Sequence, residues 1–240
     1  MRDIYQIIML FCLLAFSKPA RAQENTQEGL SIQWAPLSNI NVGAPHWRMG
    51  LAFQQGDWRY SLDGGLGTAG MNHQIWKDNS KALGADYQYW ELRPEVQYIF
   101  ARNQVLDFYA GGELFYEQNS HTKTDSYYYI KNEKGKHYFE QADYMRNRFG
   151  GHLKAGIRTN FAGNFAFEAW VGLGMAYKNV YFRNVQYTDD EVSGGYPWWF
   201  FMQNRTKGGY LNPSVTFGLK LSYRLWNPAG KSIKKAHLIE

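Results

Sequence analysis

The chain has 240 residues and a formal net charge of +5, and it combines 18% aromatic residues and 24 glycines with a mean hydropathy of −0.52. Without residues 1–22, which hold three bases and one acid, 23 basic residues stand against 20 acidic ones, and this near balance argues against nucleic-acid binding as the main purpose. Many rings in a chain that is polar on average are typical of strands that alternate a lipid-facing apolar residue with a polar residue facing a barrel lumen.

The N-terminus predicts a cleaved signal peptide over residues 1–22. Arg2 precedes an apolar run over residues 4–16, and the small-x-small triplet at residues 20–22 places the cleavage site before Gln23. The run is shorter than the roughly 20 residues of a helical membrane span, and no later segment approaches that length. We therefore expect export in a Gram-negative cell. An apolar N-terminal helix of a cytosolic fold is the alternative.

Cysteine usage narrows the class of exported protein. The single cysteine, Cys12, lies within the apolar run, and large residues precede it where a lipid-attachment site has small ones. The mature protein is thus expected to carry neither a lipid anchor nor a disulfide, which excludes the disulfide-stapled secreted mini-domains. The rest of the chain has a length that suits one domain or one barrel.

Alternation of apolar and polar residues predicts eight strands of membrane-crossing length. The last segment shows it best, because the odd positions of 211–225 are all apolar, tyrosine or proline while the even positions are polar or glycine. The predicted fold is an all-β, eight-stranded antiparallel up-and-down transmembrane β-barrel with long extracellular loops, spanning residues 23–228 and followed by a polar periplasmic tail over residues 229–240. The eight segments lie near residues 29–38, 46–55, 58–69, 87–100, 105–120, 146–161, 164–180 and 210–226.

The connections between these segments fall into two length classes. Tight ones lie at 56–57, 101–104 and 162–163, and long ones lie at 70–86, 121–145 and 181–209. Short periplasmic turns and long outer loops are the expected asymmetry, which places both ends of the mature barrel in the periplasm. Residues 126–141 hold two further apolar-rich stretches around a turn. They predict an extra hairpin above the membrane or, as the second option, a ninth and tenth spanning strand.

Three stretches carry a resemblance to a known family: WELRPEVQY at residues 90–98, FYAGGELFY at 108–116 and VGLGMAYKNV at 171–180. Through them the chain resembles the small outer-membrane barrel proteins of Bacteroidetes, a family of unknown function with OmpA-like transmembrane barrels. The resemblance covers most of the mature chain and implies residence in the outer membrane. The chain departs from the family after Trp226, where a polar basic tail continues to Glu240 instead of ending the barrel on an aromatic residue.

The inward-facing positions of the predicted strands carry eight basic and seven acidic residues. The interior of an eight-stranded barrel is only wide enough for side chains to fill, and an unpaired charge there is costly, so near-equal signs predict a cross-lumen ion-pair network. The functional alternative is a narrow gated pore, in which a mobile Glu–Arg or Glu–Lys pair opens a water path. The residues of the predicted network are Arg48, Arg59, Asp63, Glu91, Arg93, Glu95, Asp107, Glu113, Glu117, Lys154, Arg158, Glu168, Lys178, Lys220 and Arg224.

A glycine-rich string and the histidines could suggest binding sites, but the sequence favours a structural role for both. Residues 65–70 match the G-x-G-x-x-G dinucleotide fingerprint as a string, but that motif needs a helix directly after a buried strand, so glycines facing bulky lumen residues or ending a strand explain it better. His152 is the one histidine predicted inside the barrel, where it packs within the charge network. We expect no cofactor and no metal, because the other histidines lie in predicted loops or the tail without metal-ligand spacing: His46, His73, His121, His137 and His237.

A lipid-modifying enzyme is the third function class. Eight-stranded outer-membrane barrels that transfer or remove acyl groups use a histidine with a serine and an acid near the outer rim. His121 beside Ser120 is the nearest candidate, but no strand geometry fixes an acid beside this pair. We therefore predict a structural or interaction protein rather than an enzyme. Its expected partners are outer-membrane lipid, lipopolysaccharide and an outer-membrane protein.

An aromatic run interrupts the last outer loop, which is otherwise polar. It can cap the barrel mouth, join the aromatic girdle or dock a partner, and girdle or cap is preferred because Trp and Tyr belts are routine in such barrels. The run comprises Tyr196, Pro197, Trp198, Trp199, Phe200, Phe201 and Met202. In the tail, Lys231, Lys234 and Lys235 are expected to stay solvated in the periplasm.

Overall fold

Eight antiparallel strands form a closed barrel in the computed structural model, which describes residues 28–40, 44–69, 86–103, 106–130, 135–161, 164–187 and 204–226. Each strand pairs with the next along the chain, and the first pairs with the last, so the order is up-and-down. The strands are β1 (Gly29–Trp34), β2 (Trp47–Gln55), β3 (Trp58–Thr68), β4 (Gln88–Arg102), β5 (Leu106–Ile130), β6 (His137–Phe161), β7 (Phe165–Tyr187) and β8 (Thr206–Trp226). The predicted eight-stranded, all-β up-and-down fold is confirmed.

A short 3-10 helix, Pro36–Ile40, follows β1, and it explains why β1 ends four residues before the predicted boundary. Pro36 has no N–H to continue the ladder, and the Ser38 hydroxyl donates to the Ala35 carbonyl at 2.7 Å as the chain turns. No helix among the described residues is long and apolar enough to cross a membrane.

Three strands are much longer than predicted. β5 and β6 have 25 residues each and β7 has 23, whereas β2 and β3 have nine and 11. The hairpin predicted near residues 126–141 is present, with Tyr128 opposite His137, but the long connection predicted over 121–145 is wrong in extent, because most of it continues β5 and β6 as strands. Residues 120–126 are polar on both faces, which hid the strand from a search for alternation. The hairpin adds no ninth or tenth strand to the described barrel.

Apolar side chains cover the outside of the barrel. Leu153 is 78% exposed and Phe217 is 76% exposed, and the same outward positions on the neighbouring strands are also apolar. On β4 this apolar surface extends over residues 90–98, close to the roughly 9–11 residues of a tilted transmembrane strand. We call this surface the belt. Its most exposed members include Met49, Leu51, Leu62, Leu66, Leu92, Leu114, Phe149, Leu153, Val171, Leu173, Met175, Leu211, Val215 and Phe217.

Aromatic pairs mark both margins of the belt. At the lower margin, which holds the short turns, Trp58 packs on Tyr98 at 5.0 Å between ring centroids, and Phe165 packs on Tyr223 at the same distance. At the upper margin the corresponding pairs are Trp90 with Tyr116 and Phe149 with Tyr177, at 4.8 and 5.2 Å. Two aromatic girdles around an apolar band are typical of membrane barrels.

Above the belt, β5 to β8 continue as an extension formed by residues 118–130, 137–148, 178–187 and 206–210. Tyr129 and Ile130 at the end of β5 pair in parallel with Thr206 and Lys207 at the start of β8, so the four strands form a second, smaller ring. Its interior holds an apolar cluster of Tyr128, Phe139, Ala142, Tyr144, Val180 and Phe182.

Candidate functional site in the barrel lumen

The structure places the predicted charged residues on the inner face of the barrel. Side chains alternate between the two faces of each strand, so the polar half of every strand points inward when the apolar half forms the belt. Of the 15 residues, Arg48 and Arg224 are half-buried. The other thirteen are buried: Arg59, Asp63, Glu91, Arg93, Glu95, Asp107, Glu113, Glu117, Lys154, Arg158, Glu168, Lys178 and Lys220.

Arg93 on β4 joins three carboxylates in the upper part of the lumen. Its Nε lies 2.7 Å from Glu91, its Nη1 lies 2.8 Å from Glu113, and its Nη2 binds Glu117. A guanidinium offers five donors in a planar fork, which allows one side chain to hold several carboxylates at once. Arg93 is therefore the centre of the upper network.

Two lysines join the carboxylates of the middle layer. Lys154 Nζ lies 2.8 Å from Glu95 and 3.2 Å from Glu113, so it connects this layer to the one above. Lys220 Nζ lies 2.9 Å from Asp63 and 3.0 Å from Glu95. Both ammonium groups also lie over the ring of Trp170, at 4.5 and 5.3 Å from its centroid, where a cation–π attraction adds to the ion pairs.

The next layer down is built around Glu168. Arg59 on β3 binds Glu168 on β7, and these two strands lie on opposite sides of the barrel. Tyr109 donates to Glu168 at 2.7 Å, and Gln97 donates to the same carboxylate at 2.9 Å. Such contacts cross the full width of the lumen, so side chains fill the interior at this height.

The lower end of the lumen is less completely paired. Arg158 donates to Gln54 at 2.7 Å, while its Nε and one oxygen of Asp107 have no hydrogen-bond partner among the described residues. A small cleft opens here, and Gln54, Arg158 and Arg224 are among the residues that line it. The closed part of the lumen therefore lies above this level.

Three inward residues were not included in the predicted network. His46, predicted in a loop, is buried with Nε2 2.8 Å from Glu91, and its ring stacks on Tyr89 at 4.2 Å. Arg146 and Arg148 were left out of the network, yet both lie on the inner face of β6. Residues two positions apart on a strand face the same side. His46 therefore lies on the same face as Arg48, and Arg146 and Arg148 lie on the same face as His152.

The other histidines also correct the prediction. His121, predicted in a loop, is buried 6.1 Å from the ring of Tyr87, and His137 begins β6, because β5 and β6 extend above the belt. Ser120 and His121 follow each other in a strand, so their side chains lie on opposite faces and do not meet. His73 and His237 lie outside the described residues.

The glycines at 65 and 67 face bulky groups in the lumen, which is one of the two explanations that the sequence suggested for them. A Cβ on Gly65 would lie 2.5 Å from the Glu91 side chain, and one on Gly67 would lie 3.2 Å from Cβ of His46. Strand β3 continues through both glycines, without the helix that a dinucleotide site requires. Gly70 lies outside the described residues.

Ser214, His152 and Glu113, which the sequence did not predict as a set, are in contact with one another. His152 Nε2 lies 2.8 Å from Ser214 Oγ, and its Nδ1 lies 3.1 Å from Glu113. Ser214 Oγ also accepts from Arg148 at 2.5 Å, and Glu113 is shared with two cations, so all three residues belong to the charge network. The described residues contain no group of three His, Cys, Asp or Glu that could hold a metal ion.

Several predictions fall outside the described residues. They are the signal peptide, the aromatic run with Tyr196, Trp198, Trp199, Phe200 and Phe201, and the tail from residue 227 onward. These stay predictions, as does the resemblance to the Bacteroidetes proteins.

Comparison with known proteins gives one match. No protein-family model matches the sequence, and no curated protein matches it. Among solved structures, the fold is similar to that of a major outer membrane protein from Thermus thermophilus, with a TM-score of 0.38 and 10% identity over 83% of this chain and 98% of that chain. A likeness at this level assigns no role to the chain, so its own surface and lumen have to indicate one.

Proposed function

We propose that the chain is a small integral β-barrel of the outer membrane, kept closed by a filled and ion-paired lumen, that acts as a structural or interaction protein. The observation that carries this proposal is the inversion of the barrel wall, with apolar residues outside and ionised ones inside. A soluble barrel with that wall would expose an apolar surface all around itself, which monomeric soluble proteins avoid. In a bilayer the same wall is stable.

A charge placed on the belt tests the membrane assignment. Leu153 lies in the middle of the belt on β6, and Leu153→Arg should reduce the stability of the barrel in lipid by about 2–4 kcal/mol. The matched control is Gln186→Arg, an exposed position of β7 above the belt, which should change little. Unfolding in urea in the presence of lipid vesicles measures both. Equal stability of the two variants, or fractionation away from outer membranes, would contradict the proposal.

Conductance distinguishes a closed barrel from a narrow pore. Contacts that cross the lumen, such as Arg59 to Glu168 and Lys220 to Glu95, leave side chains in the path of an ion. Purified protein in a planar bilayer should therefore show no unitary current. Steady current in the unmodified protein would favour the gated pore, and Arg93→Ala and Glu113→Gln would then identify the gate.

An enzyme is the second candidate, because one specific observation favours it. Ser214, His152 and Glu113 have the hydrogen-bond order of a nucleophile, a base and an orienting acid. Ser214 is 4% exposed and its oxygen is held by Arg148, which favours a structural role. A fluorophosphonate probe should leave wild-type protein unlabelled. Labelling that is lost in Ser214→Ala and in His152→Ala would establish the enzyme instead.

A further inference from the structure

The ladder of strands is interrupted on one side of the upper half of the barrel. β1 ends at Trp34 opposite Leu221, so residues 208–220 of β8 pair with β7 alone among the described strands. Inward residues that flank this seam, Arg48 on β2 and Asn212 and Thr216 on β8, are only half-buried. Other inward residues of β8, such as Ser214, Lys220 and Ser222, are buried. The 3-10 helix Pro36–Ile40 contacts both β2 and β8 at this height, so a short helix rather than a strand separates the lumen from the outside there.

Positive charge is concentrated at the upper end of this seam, where Lys178 pairs with Tyr210. Arg148 on β6 lies directly opposite Lys178 on β7, with both side chains on the inner face, and like charges in that position repel each other. Arg146 lies on the same face one pair further up. Burial, together with Arg146 and Arg148, lowers the pKa of Lys178 to about 8. The three cations therefore share one electrostatic environment.

Carboxylates do not balance this cluster. Glu117 lies 3.2 Å from Arg148 but is also bound by Arg93. Lys178 Nζ donates to the Asn204 side chain at 3.1 Å, and neither Lys178 nor Arg146 forms an ion pair with a carboxylate in the described part of the chain. Lower in the lumen, by contrast, Arg59, Arg93, Lys154 and Lys220 each bind at least one acid.

Water reaches the cluster. The side chain of Arg148 is 28% exposed, whereas the side chains of Arg93 and Lys154 are 6% and 0% exposed. Arg148 is thus the cation of this cluster that an anion from solution meets first, with its Nη1 and Nη2 already bound to Glu117 and Ser214. Two guanidinium forks and one ammonium group suit the several oxygens and the double charge of a phosphate.

We propose that Arg146, Arg148 and Lys178 bind a phosphate group, carried by a lipid of the outer leaflet or free in solution, that enters through the seam between β8 and the end of β1. The proposal rests on the membrane position proposed above for its lipid source, because the seam runs from the belt up to the extension in which the three cations lie. Residues 211–217 of β8, with Leu211, Val215 and Phe217 exposed outward, border it on one side.

Binding by the full mature chain in a neutral detergent tests the proposal. Inorganic phosphate, titrated against chloride at constant ionic strength, is the free-anion probe, and lipid A with and without its phosphates is the lipid probe, read by native mass spectrometry. We expect phosphate-dependent binding of at least one probe, weakened about tenfold or more in Arg146→Gln and in Lys178→Met. Binding of lipid A alone would identify a lipid source, and binding of inorganic phosphate would identify a free anion.

The control is Arg183→Gln, which removes an exposed cation from β7 of the extension and should leave binding unchanged. Equal binding by the wild type and both lumen variants would overturn the proposal, as would a folded wild type that binds neither probe. Folding is checked separately by gel electrophoresis, in which the folded barrel, loaded without heating, migrates differently from the heat-denatured chain. A chain that fails that check in detergent contradicts the membrane proposal instead, so the two failures are distinguishable.

Discussion

The barrel lumen and the interior of the extension are enclosed by the same strands but filled in opposite ways. Within the belt, β6 points Lys154 inward and Leu153 outward, whereas in the extension it points Phe139 inward and exposes Glu140. The barrel interior is polar because its outside is apolar, and the extension interior is apolar as in an ordinary soluble domain. On one strand, the outward side chains change from apolar in the barrel to polar in the extension. The height of this change therefore indicates where the surroundings of the strand change from apolar to aqueous.

Local irregularities accompany this exchange. The pairing of β6 with β7 shifts register between Phe139 and Asp143. Asp125 on β5 and Asn184 on β7 have positive φ values of 46° and 50°, in the left-handed region that these two residue types tolerate best after glycine. A single extra residue moves every later side chain to the other face. Such irregularities allow one strand to serve both interiors.

The largest expected effect comes from the centre of the lumen network. Arg93→Met leaves Glu91, Glu113 and Glu117 without their shared partner, and breaking a buried network in this way should cost about 3–5 kcal/mol. Urea unfolding in detergent micelles measures the loss. Arg183→Met, on the exposed face, is the control and should cost little. A loss of less than about 1 kcal/mol for Arg93→Met would mean that the lumen does not depend on its ion pairs.

The interior of the extension should respond differently. Phe139→Ala removes a ring that is 1% exposed and contacts Tyr128 and Phe182, which costs about 3–5 kcal/mol in a packed core. We expect the loss to be local, with faster amide exchange in the extension and an unchanged unfolding midpoint for the barrel. Gln141→Ala, exposed on the same strand, is the control. If the barrel midpoint falls with Phe139→Ala, the two interiors form one cooperative unit.

Two glycines allow packing inside the barrel to be compared with exposure on its outer face. Gly218 faces Trp170 so closely that a Cβ would overlap its ring, whereas Gly112 has no atom within 4 Å of the same position. Gly218→Val should cost about 1–3 kcal/mol through overpacking, and Gly112→Val should be nearly neutral. Parallel denaturant titrations measure both. Equal costs would show that backbone conformation, rather than the ring, determines the effect.

The smallest expected effect is a pH dependence in the extension. Burial, together with Arg205 and Arg146, lowers the pKa of Lys123 to about 8. The unfolded chain keeps this proton up to its ordinary value of 10.5, so between these two values the unfolded state binds more protons and stability rises with pH. Amide exchange in the extension should therefore slow from pH 8 to 10 relative to Lys123→Met. Lys207→Met, an exposed control, should follow the wild type.

The faces of the strands were predictable from sequence because alternation is a local property. It identified the strand count, and the residues from Arg48 to Arg224 that it placed inside are buried or half-buried. The partners across the lumen were not predictable, since Arg59 and Glu168 are 109 residues apart and meet only after the barrel closes. The long ends of β5 and β6 were missed because a period of two does not survive the polar stretch and the shifted register near residue 140.

Strand β8 has a consequence for the order in which the chain folds. It pairs with β1 at its lower end and with β5 at its upper end, so both rings stay open until it arrives. The hairpin of β5 and β6 needs only neighbouring sequence, while the contact of Tyr129 with Thr206 spans more than a third of the strand-forming chain and pays a larger loop-closure entropy. Slow, late docking of the last strand would then complete the membrane part and the outer part in the same event, and no species with only one of them finished would accumulate.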